Sequence, residues 1–206
     1  MTSSPHSPSA DRAQPTARMP LVPALEVIRD LRGESIVLTT MGSAREWPKF
    51  SPHPLDFHYI PSAMGHAPML GLGLALAQPE RDVIAFNGDG CMLMSLGCLV
   101  TIIASGAKNL TLIVLENGVY EVTGGQATAG ATAGVDFAGM ARAAGFLSVA
   151  SFDDLAEWRA HAAEMLANPG PRFIVLKVAR VADHELNAPG PMAERIAKFK
   201  AALGVG

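Results

Sequence analysis

The chain has 206 residues, enough for one domain of ordinary size and too few for two. Hydrophobic residues make up 49% and charged residues 17%, a core-rich balance that excludes disorder over most of the length. A net charge of −3 without any basic cluster excludes a nucleic-acid binder.

Residues 1–20, MTSSPHSPSADRAQPTARMP, are rich in Ser and Pro and read as a disordered tail, leaving 21–206 as one domain. The tail holds no apolar core of the kind a secretory signal needs. Residues 23–31 read as a helix, with Leu25, Ile28 and Leu31 at helical spacing and Gly33 placed to end it. A short β-branched strand follows at 35–39, then a turn at 40–43. Residues 47–61 form a loop holding Pro48, Pro52, Pro54 and Pro61. A helix is expected over 62–77, closed by Gln78-Pro79, followed by strand 83–86, helix 93–105 and strand 110–115. A Gly- and Thr-rich loop spans 123–134. Helix 136–144, strand 148–150, amphipathic helix 153–166, strand 173–178 and helix 192–203 complete the chain. Strands alternating with helices predict an α/β fold: a single doubly wound parallel sheet with helices on both faces. The strands read as near-continuous apolar runs, as doubly covered strands do. Gly71-Leu72-Gly73-Leu74 lacks the third glycine and preceding strand of a dinucleotide fingerprint, and its glycines are expected to allow close helix packing.

Two features bear on location. Residues 91–107 carry no charge, a run at the lower end of the roughly 17–25 residues that span a bilayer. Ser95, Gly97, Thr101, Ser105 and Gly106 interrupt it, so a buried or interfacial helix is expected and not a membrane span. Cys91 and Cys98 lie seven apart, sharing a helix face, with no metal-site pattern. Reduced thiols in a cytoplasmic protein are expected.

The segment richest in chemistry is Gly88-Asp89-Gly90, with Asn117 lying 28 residues after the Asp. Strand 83–86 leads into the triplet, and strand 110–115 leads to Asn117. A carboxylate and a carboxamide thus reach the C-terminal edge of a parallel sheet, where ligands bind. Two oxygen ligands suit Mg²⁺, which takes its other ligands from water and a phosphorylated cofactor. Gly88 and Gly90 let main-chain amides approach that phosphate. Taken singly, Asp89 also suits a helix cap and Asn117-Gly118 a turn.

GDGCMLMSLGCLVTIIASGAKNLTLIVLENGVY resembles the signature of thiamine-diphosphate-dependent enzymes, which opens on GDG and closes on Asn. The likeness extends upstream through PSAMGHAPMLGLGLALAQPERDVIAFN and downstream through TGGQATAG. It is nearest to the small subunits or C-terminal domains of sulfopyruvate and phosphonopyruvate decarboxylases. The resemblance implies the following roles. Asp89, Asn117 and the carbonyl of Val119 hold Mg²⁺. The amides of Gly90 and Cys91 take up diphosphate oxygens, as does the turn at Gly42 and Ser43, although Ser43 also suits a local cap. Tyr120 joins the cofactor contacts. Met64, lying 25 residues before Asp89, is the apolar wedge that bends the cofactor, where a lone Met would otherwise be read as core. The Ser62 carbonyl, at a position where the family usually has Gly, accepts from the aminopyrimidine. His66 either faces the substrate or caps the helix; His53 and His58 have weaker claims. Glu121 stands where a small residue is usual, so it points away from the substrate or the substrate is not a dianion.

The implied reaction is decarboxylation of a small 2-oxo acid, sulfopyruvate or phosphonopyruvate, to an aldehyde. Alternatives are decarboxylation or carboligation of another 2-oxo acid and, in another class, a non-catalytic binding module. Cofactor activation in the family needs a Glu from a pyrimidine-binding domain. This chain has no room for that domain, and none of its ten glutamates is a candidate. The implied partner is a pyrimidine-binding α subunit in a hetero-oligomer, α₂β₂ or larger, with the uncharged helix contributing to the interface.

Overall fold

Apolar strands that must be buried on both faces are satisfied by a sheet with helices on each side. The computed structural model, which describes residues 18–181 and 190–205, takes that form. Its sheet joins β1 (Ile36–Thr39), β2 (Asp56–His58), β3 (Val83–Gly88), β4 (Leu110–Glu116), β7 (Ser148–Phe152) and β8 (Arg172–Lys177). All pairs are parallel, in the order β2-β1-β3-β4-β8-β7. A short antiparallel ribbon pairs β5 (Val119–Tyr120) with β6 (Gln126–Ala127).

The pleat divides the core in two. Ala85 of β3, Leu112 and Val114 of β4 and Phe173 of β8 meet α3 (Ala67–Ala77), α5 (Cys98–Ser105) and α7 (Phe137–Ala144). Ile84 and Phe86, Ile113 and Ile174 point the other way, against α1 (Leu21–Leu31) and α8 (Leu155–Ala167). Each fully buried side chain of this size contributes about 1.5–3 kcal/mol. Trp158 of α8 is fully buried and donates its indole N–H to the Ala24 carbonyl at 3.1 Å, joining the two helices of that face. The C-terminal helix α9 (Met192–Leu203) lies against the β2 edge, where Phe199 packs on Phe57 with ring centroids 5.0 Å apart.

Several expectations need correction. Most of the expected tail, 1–17, lies outside the described residues, but its last residues belong to the fold: Met19 is buried and bridges to Val178. The proline-rich loop hides the edge strand β2. Its Asp56 is fixed by a buried ion pair with Arg32 and by bonds from Trp47 Nε1 (2.7 Å) and Ser51 Oγ (3.1 Å). The helix expected over 62–77 starts only at Ala67, because Gly65 has φ +84°, outside the helical region, and Pro68 sits in the first turn. The helix expected over 93–105 is two pieces, α4 (Asp89–Leu93) and α5, joined by tight turns at 94–97, so Cys91 and Cys98 share no helix face. Both thiols are free and buried. The turn at 40–43 opens a short helix, α2 (Met41–Glu46), and the loop 123–134 holds β6 and α6 (Ala129–Ala133).

Gly71 fits its expected packing role, since a Cβ there would lie 2.9 Å from Ala85 Cβ, whereas Gly73 faces open space. No helix among the described residues is long and apolar enough to cross a membrane. From β1 the chain moves outward to β2 and then returns to β3 on the other side. The sheet therefore has its switch point between β1 and β3, with a crevice beyond their C-terminal ends.

Candidate active site

The crevice is a cleft lined by residues that follow three of the strands. Thr40, Met41, Gly42 and Ser43 follow β1; Asp89, Gly90 and Cys91 follow β3; Asn117, Val119 and Tyr120 follow β4. Met64 reaches in from the loop before α3, and Glu121, Val122 and Thr123 close one side. The structure thus brings together Gly42, Ser43, Met64, Gly88, Asp89, Gly90, Cys91, Asn117, Val119 and Tyr120. Ser62 and His66 are not among the lining residues. Ser62 turns its hydroxyl to Met41 Sδ, 4.0 Å away. His66 stands exposed at the N-cap position of α3, makes no side-chain capping bond there, and borders a separate groove with Tyr59 and Met69.

Asp89 is 2% exposed. Its Oδ2 accepts the Gly118 N–H at 3.1 Å and the Thr128 hydroxyl at 3.1 Å, and it has no ion pair among the described residues. Burial pushes its carboxyl above the usual aspartate range, and these neutral donors only partly offset that. A buried carboxylate held by neutral groups is a position that a cation would relieve. Asn117 turns back on its own loop, Oδ1 accepting the Val119 N–H at 2.9 Å, which fixes the carboxamide beside Asp89. No group of three His, Cys, Asp or Glu able to hold a metal occurs among the described residues. The donors here are one carboxylate, one amide oxygen and main-chain carbonyls, hard oxygens that fit Mg²⁺ completed by phosphate and water.

Close contacts set the walls. The Tyr120 ring covers Gly90 so tightly that a Cβ on Gly90 would lie 2.3 Å from Tyr120 Cε1. At Gly65 a Cβ would lie 2.9 Å from the Cys91 carbonyl oxygen, so the Met64 loop is seated on α4. Burial pushes the Cys91 thiol up, leaving it neutral. Met41 holds a left-handed φ of +49°, strained for a side chain of this kind. The turn around it is braced by Thr40 Oγ1, which donates to the Phe86 carbonyl at 3.1 Å, and by Ser43 Oγ, which accepts from Thr40 N and donates to Thr40 O. Glu121 leans over this turn, its Oε2 lying 2.8 Å from where a Gly42 Cβ would be. Glu121 therefore lies on the cleft wall, over the turn that follows β1.

Sequence reasoning missed Thr128 and Met41. Thr128 lies 39 residues from the carboxylate it holds and looked like one Thr in a Gly-rich loop; its place as the cap of α6, accepting the Ala131 N–H at 3.2 Å, was the available signal.

Comparison with known proteins agrees with this geometry. Residues 37–176 match the family model of the thiamine pyrophosphate enzyme, C-terminal TPP binding domain, the pyrophosphate being the diphosphate named above. The chain is 38% identical over 176 residues to a phosphonopyruvate decarboxylase of Streptomyces viridochromogenes, covering 83% of this chain and 42% of that one. It is 36% identical over 153 residues to the sulfopyruvate decarboxylase subunit beta of Methanothermobacter thermautotrophicus, covering 74% of this chain and 78% of the relative. The chain spans about two fifths of the Streptomyces protein's length and most of the methanogen subunit's. In fold it is similar to the X-ray structure of a candidate thiamin diphosphate-dependent enzyme from Mycobacterium smegmatis, with TM-score 0.66 and 20% identity over 80% of this chain and 32% of that one. The chain belongs to the thiamine pyrophosphate enzymes, as a C-terminal cofactor-binding domain.

Proposed function

We propose that this chain is the diphosphate-binding subunit of a split thiamine-diphosphate-dependent 2-oxo acid decarboxylase acting on sulfopyruvate or phosphonopyruvate. The observation that carries this reading is the convergence of Asp89, Asn117 and Met64, from three separate stretches of chain, on one cleft. When bound, thiamine diphosphate supplies a thiazolium ring that adds to a 2-oxo acid and holds the electron pair left when CO₂ departs. The chain's own residues have narrower tasks. Asp89, Asn117 and the Val119 carbonyl would hold Mg²⁺, while the amides of Gly90 and Cys91 and the Gly42–Ser43 turn would take the diphosphate. Met64 would stand against the rings, and the Ser62 carbonyl would accept from the aminopyrimidine. Leu21, Leu115 and Val178 keep the lower wall dry. His66 has no part in this scheme.

The lengths of the relatives support a split enzyme. The matched stretch is 42% of the phosphonopyruvate decarboxylase but 78% of the sulfopyruvate β subunit, so the former carries sequence that a split enzyme would place on another chain. That other chain is the pyrimidine-binding α subunit and supplies the activating Glu, in an α₂β₂ or larger assembly. The free, buried thiols Cys91 and Cys98 support a reducing, cytoplasmic location.

One observation favours a second reading. Among the described residues the cleft lining includes Glu121 and no Lys, Arg or His. That arrangement suits a 2-oxo acid without a second negative charge, decarboxylated or joined to another carbonyl compound. The deciding experiment measures CO₂ release from sulfopyruvate, phosphonopyruvate, pyruvate and an aryl 2-oxo acid. It uses this chain with the product of an adjacent reading frame, thiamine diphosphate and Mg²⁺, and each chain alone. Turnover by the pair alone supports the split site, and the preferred acid identifies the substrate. Turnover by this chain alone overturns the need for a partner.

A further inference from the structure

We infer that Arg195 of the C-terminal helix is a positioning residue for Met64, clamping the loop that carries it into the cleft. Eight irregular residues separate the end of β2 at His58 from the start of α3 at Ala67, and Met64 lies among them. Arg195 approaches this loop from α9. Its Nη1 donates to the His58 carbonyl and its Nη2 to the Ile60 carbonyl, while its Nε donates to the Gly190 carbonyl at 3.2 Å. One planar fork thus fixes two carbonyls of the loop, a geometry that guanidinium permits and a lysine ammonium does not.

The loop's other polar ties are mostly local: Ile60 N–H bonds to the His58 carbonyl at 2.9 Å, Ala63 N–H to the Tyr59 hydroxyl at 3.3 Å and His66 N–H to the Ala63 carbonyl at 3.1 Å. Two reach the far side of the cleft, Tyr59 N–H to the Thr39 carbonyl at 2.8 Å and the Ser62 hydroxyl to Met41 Sδ at 4.0 Å. Downstream of Met64, Gly65 is seated against Cys91, Met94 and Ser95. The downstream end is therefore fixed by contact with α4, and the upstream end by the clamp. His58 carries the clamp's influence to the other wall of the cleft, since its Nδ1 shares a 2.8 Å bond with Thr39 Oγ1, one residue before the turn at Thr40. The attachment of α9 has a separable second part, the packing of Phe199 on Phe57.

The inference rests on the reading that Met64 touches the cofactor rings, and a fragment of the cofactor separates the two. Inorganic diphosphate with Mg²⁺ would engage the Asp89 end of the cleft and leave Met64 untouched. The chain, paired with the product of the adjacent reading frame, is titrated by calorimetry with Mg²⁺ and either thiamine diphosphate or inorganic diphosphate. Arg195→Met and Arg195→Lys are each expected to weaken thiamine diphosphate at least tenfold and inorganic diphosphate less than twofold. Phe199→Leu is expected to lower the thermal midpoint while changing both affinities by the same small factor. Equal losses for the two ligands in both Arg195 variants would reduce Arg195 to a general structural role and overturn the clamp, as would no loss for either. A wild-type chain that binds neither ligand overturns the reading of the cleft itself, and the clamp with it.

Discussion

Asp56 and Asp89 are both buried carboxylates, and the chain treats them in opposite ways. The Asp56 side chain, 2% exposed, is paired with Arg32 and takes further bonds from Trp47 and Ser51. Asp89, a residue 2% exposed, is given only neutral donors, main-chain amides such as that of Gly118 and the Thr128 hydroxyl. Around Asp56 the charge is neutralised by the fold itself, so the residue can serve only the fold. Around Asp89 the fold supplies orientation without neutralisation, and burial drives the carboxyl's affinity for protons up. A protein that leaves a buried charge uncompensated at the ligand-binding edge of its sheet has left room for a cation.

The sharpest way to break this comparison is to remove each carboxylate. Asp89→Ala is expected to weaken Mg²⁺-dependent thiamine diphosphate binding by more than about 100-fold, with the urea midpoint unchanged or higher, since an uncompensated charge is gone. Cofactor titration beside urea unfolding reads both quantities, and tight binding retained by the variant would remove Asp89 from the site. Asp56→Ala should do the reverse. It strands Arg32 without its partner and is expected to cost about 3–5 kcal/mol of stability. Refolded protein should still bind the cofactor, because no atom of Asp56 borders the cleft.

The two carboxylates also differ in how far the sequence disclosed them. The place of Asp89 at the cleft was legible because it is written locally: an apolar strand, a Gly-Asp-Gly turn, and a second strand ending in Asn. Periodicity also placed α9, the strands of the sheet and the two-faced cover of helices. Asp56 was illegible because its partner Arg32 lies 24 residues away, and the strand that Asp56 opens is three residues long among prolines. The same limit hid Thr128 and started two helices in the wrong place. Residues 62–66 looked helical by composition, but Gly65 leaves the helical region to fit against the Cys91 carbonyl, a tertiary demand that composition does not record. His66, exposed at the head of α3, shows the converse: proximity in sequence to Met64 does not place a side chain in the cleft.

His58 extends the comparison to a buried base, which resolves its charge by losing a proton. Burial, with the Arg195 guanidinium adding to it, holds its pKa down at about 4, against 6.5 for a free imidazole. The unfolded chain takes up a proton below pH 6.5, whereas the folded chain resists until about 4, so the unfolded state binds more protons in that window. Stability should therefore fall as pH drops from about 6.5 to about 4, by roughly 3 kcal/mol in total. Urea midpoints at pH 7, 6, 5 and 4.5 would show the slope, and His58→Gln should flatten it. An unchanged slope in the variant would mean that other groups carry the acid sensitivity.

The smallest expected effect tests the Asp89 side most finely. Thr128 donates to Asp89 Oδ2 and, through the same oxygen, accepts the Ala131 N–H that opens α6. Thr128→Val keeps the shape and removes both bonds. Loss of the cap should cost about 1 kcal/mol of stability. Loss of the donor leaves the carboxylate free to turn, and about tenfold in Mg²⁺-supported cofactor affinity should go with it. Thr128→Ser retains the hydroxyl and should restore both. The informative result is the ratio: a variant that loses the cap but keeps its affinity would mean that main-chain amides suffice to aim Asp89. In that case no side chain orients this carboxylate, where Asp56 has three side-chain partners, and the cation would set its geometry.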